Sequence, residues 1–177
     1  QLSAQLTEYC LAHFTSQNEP LFYFTAARDL IVRKKEIQDN VIPSSNAIMA
    51  ENLLRLGQHL ANENYTVKAI EMLQTVKDQV LDFPRSYSYW SRILLQQESA
   101  KIEVVVTGPE AFSVIRKIQQ RTSIPQLWAA AEKASNGPLF HQRFKANITQ
   151  IFVCKNQSCQ LPTQDIDEAL KQINLLF

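Results

Sequence analysis

The chain has 177 residues, of which 45% are hydrophobic and 20% are charged, a composition typical of a globular protein and not of a disordered one. Its 18 Lys and Arg residues against 17 Asp and Glu residues leave a formal net charge of +1, so the chain lacks the positive excess that attracts polyphosphates. We therefore expect no nucleic acid partner.

The sequence also carries signals about the compartment. No apolar run approaches the roughly 20 residues that span a bilayer, and the N-terminal residues lack the pattern of a signal peptide. Three cysteines, an odd number, favour a reducing compartment. We therefore expect a soluble, cytoplasmic protein with no membrane partner. Because the chain begins at Gln1 without a Met and its first residues resemble a helix interior, we also expect that further polypeptide preceded it.

The first elements are a helix, a hairpin and a loop. A helix from Ser3, its cap, to Phe14 is predicted by apolar positions that recur at three and four residues: Leu6, Tyr9, Cys10, His13 and Phe14. Two β-prone runs around Ala26-Ala27-Arg28-Asp29 predict a β-hairpin near residues 21–33. Residues 34–43 are polar and end in a proline, which predicts a loop.

Three more helices follow. Ser44-Ser45-Asn46 can cap a helix that runs to about residue 61, and Gly57 inside it indicates close packing of a neighbouring helix. Its apolar stripe is Ala47, Ala50, Leu53, Leu54 and Leu60. The next helix is predicted after Asn64, over residues 65–82, with an apolar set of Val67, Ile70, Leu73, Val76 and Val80. Pro84 suits the first turn of the last helix, which carries Tyr87, Trp90, Ile93 and Leu94. These helices predict antiparallel helical hairpins.

The character of the sequence changes near residue 100. A strand at residues 102–106, a turn and a helix at residues 111–120 predict the opening of a βαβ unit. Further strands are predicted at residues 126–131 and 150–153, and a final helix begins around Asp165. The predicted fold class is therefore α+β, with helical hairpins in residues 1–99 and a small α/β unit in residues 100–177.

Two stretches resemble a known family. RKKEIQDNVIPSSNAIMAENLLRL, residues 33–56, and IFVCKNQSCQLPTQDIDEAL, residues 151–170, resemble the C-terminal part of thioredoxin-domain-containing proteins of the spermatogenesis-associated protein 20 or bacterial YyaL type. The resemblance implies an N-terminal thioredoxin-like domain followed by a helical toroid similar to that of N-acylglucosamine 2-epimerases. Residues 1–99 would then form part of an incomplete (α/α)6-type toroid. The redox cysteine motif and the remaining toroid helices would lie upstream.

A polar cluster at residues 33–46 is the main candidate site. In an αα-toroid the loops that enter the inner helices line the pocket, where such groups can bind sugar hydroxyls or transfer protons. The predicted ligand-binding residues are Arg33, Lys35, Glu36, Asp39, Ser45, Asn46 and Trp90, the last as a stacking surface for a sugar ring. The alternative is a solvated loop whose Ser44 or Ser45 only caps a helix. The sequence assigns no catalytic residue.

A second candidate is the pair Cys154 and Cys159, near a predicted strand end and turn. It could be a disulfide or redox pair, half of a zinc site, or two small residues that pack a turn. A closed zinc site needs four ligands, and the histidines are scattered, so we expect no metal. Gly108-Pro109-Glu110 lacks the glycine-rich motifs of nucleotide sites and carries a negative charge where an anion would bind, so we expect no cofactor.

Two functions remain as hypotheses. In the first, the chain forms one wall of a carbohydrate-binding pocket. In the second, it is a non-catalytic structural or interaction module whose helices dock the upstream thioredoxin-like domain or another protein. A concave site around residues 33–46 would favour the first hypothesis and a flat loop the second. Because helices from an incomplete ring expose apolar stripes, we also expect self-association through those faces.

Overall fold

The computed structural model of the chain describes residues 2–26, 31–156 and 158–177. It divides into two compact units, Gln1–Leu95 and Gln96–Phe177. The described residues contain six α-helices and four β-strands, so the fold is of the mixed α+β class. No helix in the described part of the chain is both long enough and apolar enough to cross a membrane.

The first unit is helical. Its elements are α1 (Leu2–Phe14), α2 (Ser45–Leu60), α3 (Glu63–Asp82), a 3-10 turn (Pro84–Ser86) and α4 (Ser88–Glu98), which continues past the unit boundary. Helices therefore lie where the sequence predicts them. α3 begins at Glu63, two residues before the predicted start, and is capped by Asn62, whose side chain accepts the N–H of Asn64. Pro84 opens the separate 3-10 turn and not α4 itself.

The pair α2 and α3 forms the centre of this unit. The Ser44 cap is confirmed, because its Oγ accepts the N–H of Ala47 at 3.3 Å. The close packing predicted at Gly57 is also confirmed, since a Cβ there would lie 2.4 Å from Oγ1 of Thr66 on α3. The buried side chains from the two helices include Ala47, Ala50, Leu53, Leu54, Ala69, Met72, Leu73, Val76 and Val80. Leu60 and Val67, both predicted to face inward, are exposed.

The face predicted for α1 is wrong in part, since Phe14 of the predicted set does pack against the core. Leu6 and Tyr9 are exposed, while Thr7 is buried and Leu11 and Phe14 pack against the core of the unit. Apolar residues lie on more than one side of this helix, so their spacing alone does not identify the side that meets the core. Ser3 lies within the helix and does not cap it.

The predicted β-hairpin is also corrected. Residues 21–26 and 31–33 form no strand, apart from an isolated bridge between Phe22 and Thr15, and residues 27–30 of the predicted hairpin lie outside the described residues. The side chain of Asn46 accepts the N–H of Phe22 at 2.7 Å and donates to its carbonyl at 2.9 Å. These are the two groups that a neighbouring strand would need, so the side chain takes the place of the partner strand.

The second unit is built on a four-stranded sheet. Its elements are β1 (Ile102–Thr107), α5 (Ala111–Gln119), β2 (Leu127–Ala131), a 3-10 turn (Pro138–Phe140), β3 (Gln150–Lys155), β4 (Ser158–Cys159) and α6 (Ile166–Leu176). The strand order is β2-β1-β3-β4. β1 pairs in parallel with β2 and antiparallel with β3, so the predicted βαβ unit is confirmed and is extended by an antiparallel strand. Asp165 caps α6, as predicted.

The two faces of the sheet are covered differently. Ile102, Val104 and Val106 of β1 share one core with residues of α5 and α6, including Ile118 and Ile173. The other face forms a small cluster of Val105, Ala129, Phe152 and Cys154, against which Leu139 and Phe140 pack. Since alternate residues of a strand point to opposite faces, β1 supplies both cores.

Candidate functional site

Asp39 holds the polar loop at the N-termini of two helices by hydrogen bonds. Its Oδ1 accepts the N–H of Ser44 at 2.9 Å, and its Oδ2 accepts the N–H of Tyr89 near the start of α4 at 2.7 Å. The Asp39 N–H donates to the Ser86 carbonyl at 2.8 Å. A carboxylate at such a position accepts free N–H groups and meets the positive end of the helix dipole. Asp39 thus supports the loop and is not placed as a free acid or base.

Glu36, Ser45 and Asn46 hold the same loop against α2. Oε2 of Glu36 accepts the Ser45 N–H at 3.1 Å, and Nδ2 of Asn46 donates to the Glu36 carbonyl at 2.8 Å. The Asn46 side chain is buried and also binds both backbone groups of Phe22. These predicted ligand-binding groups are therefore engaged with the chain's own backbone.

Arg33 and Lys35 meet on the ring of Tyr23. The guanidinium carbon of Arg33 lies 3.8 Å from the ring centroid and Nζ of Lys35 lies 4.6 Å from it. Lys35 forms an ion pair with Glu19 and donates to Oγ of Ser16 at 3.1 Å. Burial lowers the pKa of Lys35. The side chains of Arg33 and Lys35 therefore both interact with residues of the segment that precedes the loop.

The stacking role predicted for Trp90 is contradicted by its burial. The side chain is 0% exposed, and its Nε1 donates to the Ile37 carbonyl at 2.8 Å. A ring with no accessible face cannot stack on a sugar. Trp90 instead belongs to the core, where it anchors the middle of the loop.

A cleft of about 510 Å³ lies beside the loop. Its lining residues are Phe24, Lys34, Lys35, Glu36, Ile37, Gln38, Asn40, Gln79 and Tyr87. The structure thus brings Lys35 and Glu36 to the cleft, whereas Arg33, Asp39, Ser45, Asn46 and Trp90 are not among its lining residues. The site is concave, and most of its lining residues are polar.

Glu51 is a polar residue that the sequence reasoning missed. It lies on the buried side of α2, is 7% exposed, accepts hydrogen bonds from Arg55 at 2.6 Å and from Arg92 at 2.7 Å, and also accepts the Tyr89 hydroxyl. Burial acts to raise the pKa of Glu51, but the Tyr89 hydroxyl and the two arginines outweigh it, and the pKa is lowered. The sequence does carry a signal for this site, because a carboxylate directly after Ala50, within an apolar stripe, is rarely buried unless it is paired.

Burial and the neighbouring Glu51 raise the pKa of Tyr89. The phenol therefore stays protonated and donates to the carboxylate. Together, Glu51, Tyr89 and Arg92 join α2 to α4 by charge-assisted hydrogen bonds.

The cysteines lie in separate units. Cys154 on β3 and Cys159 on β4 are joined in a disulfide, while Cys10 is free and partly exposed. No group of three or more His, Cys, Asp and Glu residues suited to a metal ion occurs among the residues that the structure describes.

Comparison with known proteins gives distant relatives. No protein-family profile matches the chain, and no solved structure matches it. It is 26% identical to spermatogenesis-associated protein 20 of Rattus norvegicus over 157 residues, which cover 82% of this chain and 20% of that protein. The human protein of that name is 24% identical over 156 residues. A Caenorhabditis elegans protein named "Uncharacterized protein B0495.5" is 21% identical over 97% of this chain and 25% of its own length. The chain therefore spans about a fifth to a quarter of the relatives it matches, and it is similar to one part of spermatogenesis-associated protein 20.

Proposed function

We propose that the chain contributes one wall of a carbohydrate-binding pocket in a larger protein similar to spermatogenesis-associated protein 20. The observation that carries this proposal is the cleft of about 510 Å³ beside the loop. Ligand pockets have volumes of about 300–1,000 Å³. The mostly polar lining of this cleft suits a ligand that is rich in hydroxyl groups. A flat, solvated loop would have favoured the alternative.

Four exposed polar residues of the cleft are the proposed contacts to sugar hydroxyls: Lys34, Gln38, Asn40 and Gln79. Their amide and ammonium groups supply both donors and acceptors. Phe24, which lines the cleft and is exposed, replaces the buried Trp90 as the proposed surface for the C–H face of a sugar ring. Glu36 and Asp39 act as positioning residues that hold the loop.

Residues of other parts of the larger protein would complete the pocket. The likeness to spermatogenesis-associated protein 20 supports, as proposed partners, an upstream thioredoxin-like domain and the remaining helices of a toroid similar to that of N-acylglucosamine 2-epimerases. Proton transfer would then depend on residues of those helices. The cytoplasm is the proposed compartment on the odd number of cysteines, and a disulfide in that reducing environment would be a transient or redox-active bond.

The test is thermal unfolding of the chain with N-acetylglucosamine as the probe and glycerol as a control for general polyol stabilisation. A sugar present at ten times its Kd stabilises the folded form by about 1.4 kcal/mol. For a chain of this size that is a rise in Tm of about 3 °C or more. We expect Gln79→Ala to abolish the rise, because Gln79 lines the cleft.

The matched control is Gln74→Ala, an exposed glutamine on the same helix that lies outside this cleft. Asn40→Ala is the second variant and changes the loop side of the cleft. If the sugar raised the Tm equally in the wild type, Gln79→Ala and Asn40→Ala, the cleft would not be the sugar-binding site. No shift beyond that of glycerol would contradict the proposal for this part of the protein.

The alternative proposal is a non-catalytic structural or protein-interaction module. It is favoured by exposed apolar side chains around the loop and on α1: Ile31, Val32, Val41, Ile42, Leu2, Leu6 and Tyr9. Exposed apolar groups that form a contiguous patch usually mark association. Sedimentation velocity over a range of concentrations tests the expected self-association. A single monomeric species at every concentration would contradict it.

A further inference from the structure

The disulfide of the second unit joins a buried cysteine to an exposed one. Cys154 on β3 is fully buried and lies in the cluster with Val105 and Phe152. Cys159 on β4 lies directly opposite it in the antiparallel register and is exposed. A reagent from solvent therefore reaches the bond through Cys159.

An arginine is held beside both sulfurs. Nη2 of Arg143 lies 3.3 Å from Sγ of Cys159 and 3.8 Å from Sγ of Cys154. The Arg143 carbonyl accepts the Thr107 hydroxyl at 2.7 Å, and its guanidinium carbon lies 5.3 Å from the ring centroid of Phe152. The backbone and the guanidinium of Arg143 are thus fixed against β1 and β3.

The guanidinium has hydrogen-bonding capacity that the disulfide does not use. Nη1 of Arg143 is buried and has no hydrogen-bond partner among the described residues. A neutral disulfide sulfur is a weak acceptor, whereas a thiolate is a full negative charge that a neighbouring arginine stabilises. The surroundings of the sulfurs therefore suit the reduced, anionic form better than the oxidised one.

We propose that Cys154–Cys159 is a thiol–disulfide exchange site, in which a dithiol reductant attacks Cys159 and Arg143 stabilises the thiolates that form. A thiolate of the reductant forms a bond to Sγ of Cys159, the bond between the two cysteines breaks, and Cys154 leaves with the electron pair. The second thiol of the reductant, after losing its proton, attacks the mixed disulfide. This step releases Cys159 as a thiolate and leaves the reductant as a disulfide, so two electrons have passed to the cysteine pair.

Two charged residues among those that the structure describes lie near the disulfide, Arg143 and Glu103. Glu103 on β1 pairs with Cys154 on β3 in the sheet, and β1 places it on the same face as Val105. Burial raises the pKa of Glu103, an effect that Arg143 partly opposes.

The first experiment measures reduction of the folded chain. In a Cys10→Ser background, which removes the free cysteine, the chain is incubated with dithiothreitol at neutral pH, and the new thiols are counted by alkylation and mass spectrometry. We expect both thiols to form without denaturant, with circular dichroism unchanged for the helices. A disulfide that opens only in urea is a structural crosslink, and that result would overturn the proposal.

The second experiment isolates the role of Arg143. Cys159 is alkylated with iodoacetamide across a pH series in a Cys10→Ser, Cys154→Ser background, with Arg143→Gln, Arg143→Lys and Lys145→Gln compared. An isolated cysteine has a pKa near 8.5, and adjacent cations lower it, so Arg143→Gln is expected to slow alkylation about tenfold at pH 6.5 and to move the profile to higher pH. Arg143→Lys should retain much of the rate.

Lys145→Gln is the matched control, since it removes the same charge from an exposed residue of the same segment. Its pH profile should be that of the wild type. If the pH profiles of alkylation coincided for Arg143→Gln and Lys145→Gln, Arg143 would have no role in stabilising the thiolate. Circular dichroism of each variant distinguishes a local change of reactivity from unfolding, because an unfolded chain would lose its helical signal.

Discussion

Replacing Glu51 with glutamine tests whether a buried carboxylate holds α2 to α4. The amide oxygen of the introduced glutamine can still accept one or two of the hydrogen bonds from Tyr89, Arg92 and Arg55, but it has no charge, and its NH2 group faces donors. A hydrogen bond to a charged group contributes about 1.5–3 kcal/mol. The side chain of Arg55 is 60% exposed and can return to water, so its bond counts for little. The expected loss at pH 7 is therefore about 2 kcal/mol, mainly from Arg92 and Tyr89.

The assay is urea unfolding followed by tryptophan fluorescence. The chain has two tryptophans, Trp90 in the first unit and Trp128 in the second, so a Trp128→Phe background reports on the first unit alone. With a slope of about 2 kcal/mol per molar urea, Glu51→Gln should lower the midpoint by about 1 M. Glu71→Gln, on an exposed residue of α3, is the control and should leave the midpoint unchanged.

The effect should depend on pH in a defined direction. The folded-state pKa of Glu51 lies below its ordinary value of 4.5, so folding favours the ionised form. Its contribution is fully present above about pH 4.5 and is lost as the pH falls through the lower, folded-state pKa. The wild type and Glu51→Gln should therefore converge in acid. Equal midpoints at pH 7, or a difference that persists unchanged well below the folded-state pKa, would refute the assigned role.

Three further changes test the packing of both units. A Gly→Ala change inside a helix normally stabilises it by about 1 kcal/mol. At Gly57 the new Cβ would lie 2.4 Å from Oγ1 of Thr66, so we expect Gly57→Ala to destabilise the fold by about 1 kcal/mol in urea unfolding. Adding Thr66→Ala should reduce that loss. Gly108→Ala should cost about 3 kcal/mol in thermal unfolding, because φ is +120° and the new Cβ would lie 2.2 Å from the Ile148 carbonyl oxygen. Asp39→Ala leaves two backbone N–H groups without their acceptor and should lower the urea midpoint of the first unit by about 1 M, whereas an unchanged midpoint would show that water replaces the carboxylate.

The sequence correctly predicts those helices and strands for which the hydrophobic periodicity and the residues at the ends indicate the same element. The helix after Ser44 has a capping residue and a continuous apolar stripe, and the final helix has Asp165 at its start. The strand, helix and strand of residues 102–131 are predicted because the pattern of apolar residues changes from that of a strand to that of a helix across a short turn. In each case the information is local, so neighbouring residues suffice.

The errors arise where a distant side chain decides the structure. Phe22 lies in a β-prone run that would pair with a strand, but the Asn46 side chain from α2 binds both its N–H and its carbonyl. α1 has apolar residues on more than one side, and its buried side depends on where α2 lies. Such choices depend on the tertiary arrangement, which periodicity does not contain.

The sequence predicts the polar loop but not the contacts that its carboxylates make. The loop at residues 33–46 lies beside a cleft, but Glu36 and Asp39, which are predicted ligand contacts, accept N–H groups at the starts of two adjacent helices. Free N–H groups at a helix start require acceptors, and the nearest carboxylates supply them. Glu51 interrupts the apolar stripe of α2, and hydrophobic periodicity gives no role to a charged residue within such a stripe.

The amide of Asn46 has a consequence for how the first unit opens. It binds the N–H of Phe22 as a neighbouring strand would, so this extended segment depends on the second residue of α2. Exchange of the Phe22 amide proton with deuterium should then require the start of α2 to loosen, and its protection should follow that helix and not the surrounding loop. An Asn46→Ala variant should release this proton to rapid exchange while the middle of the helix remains protected.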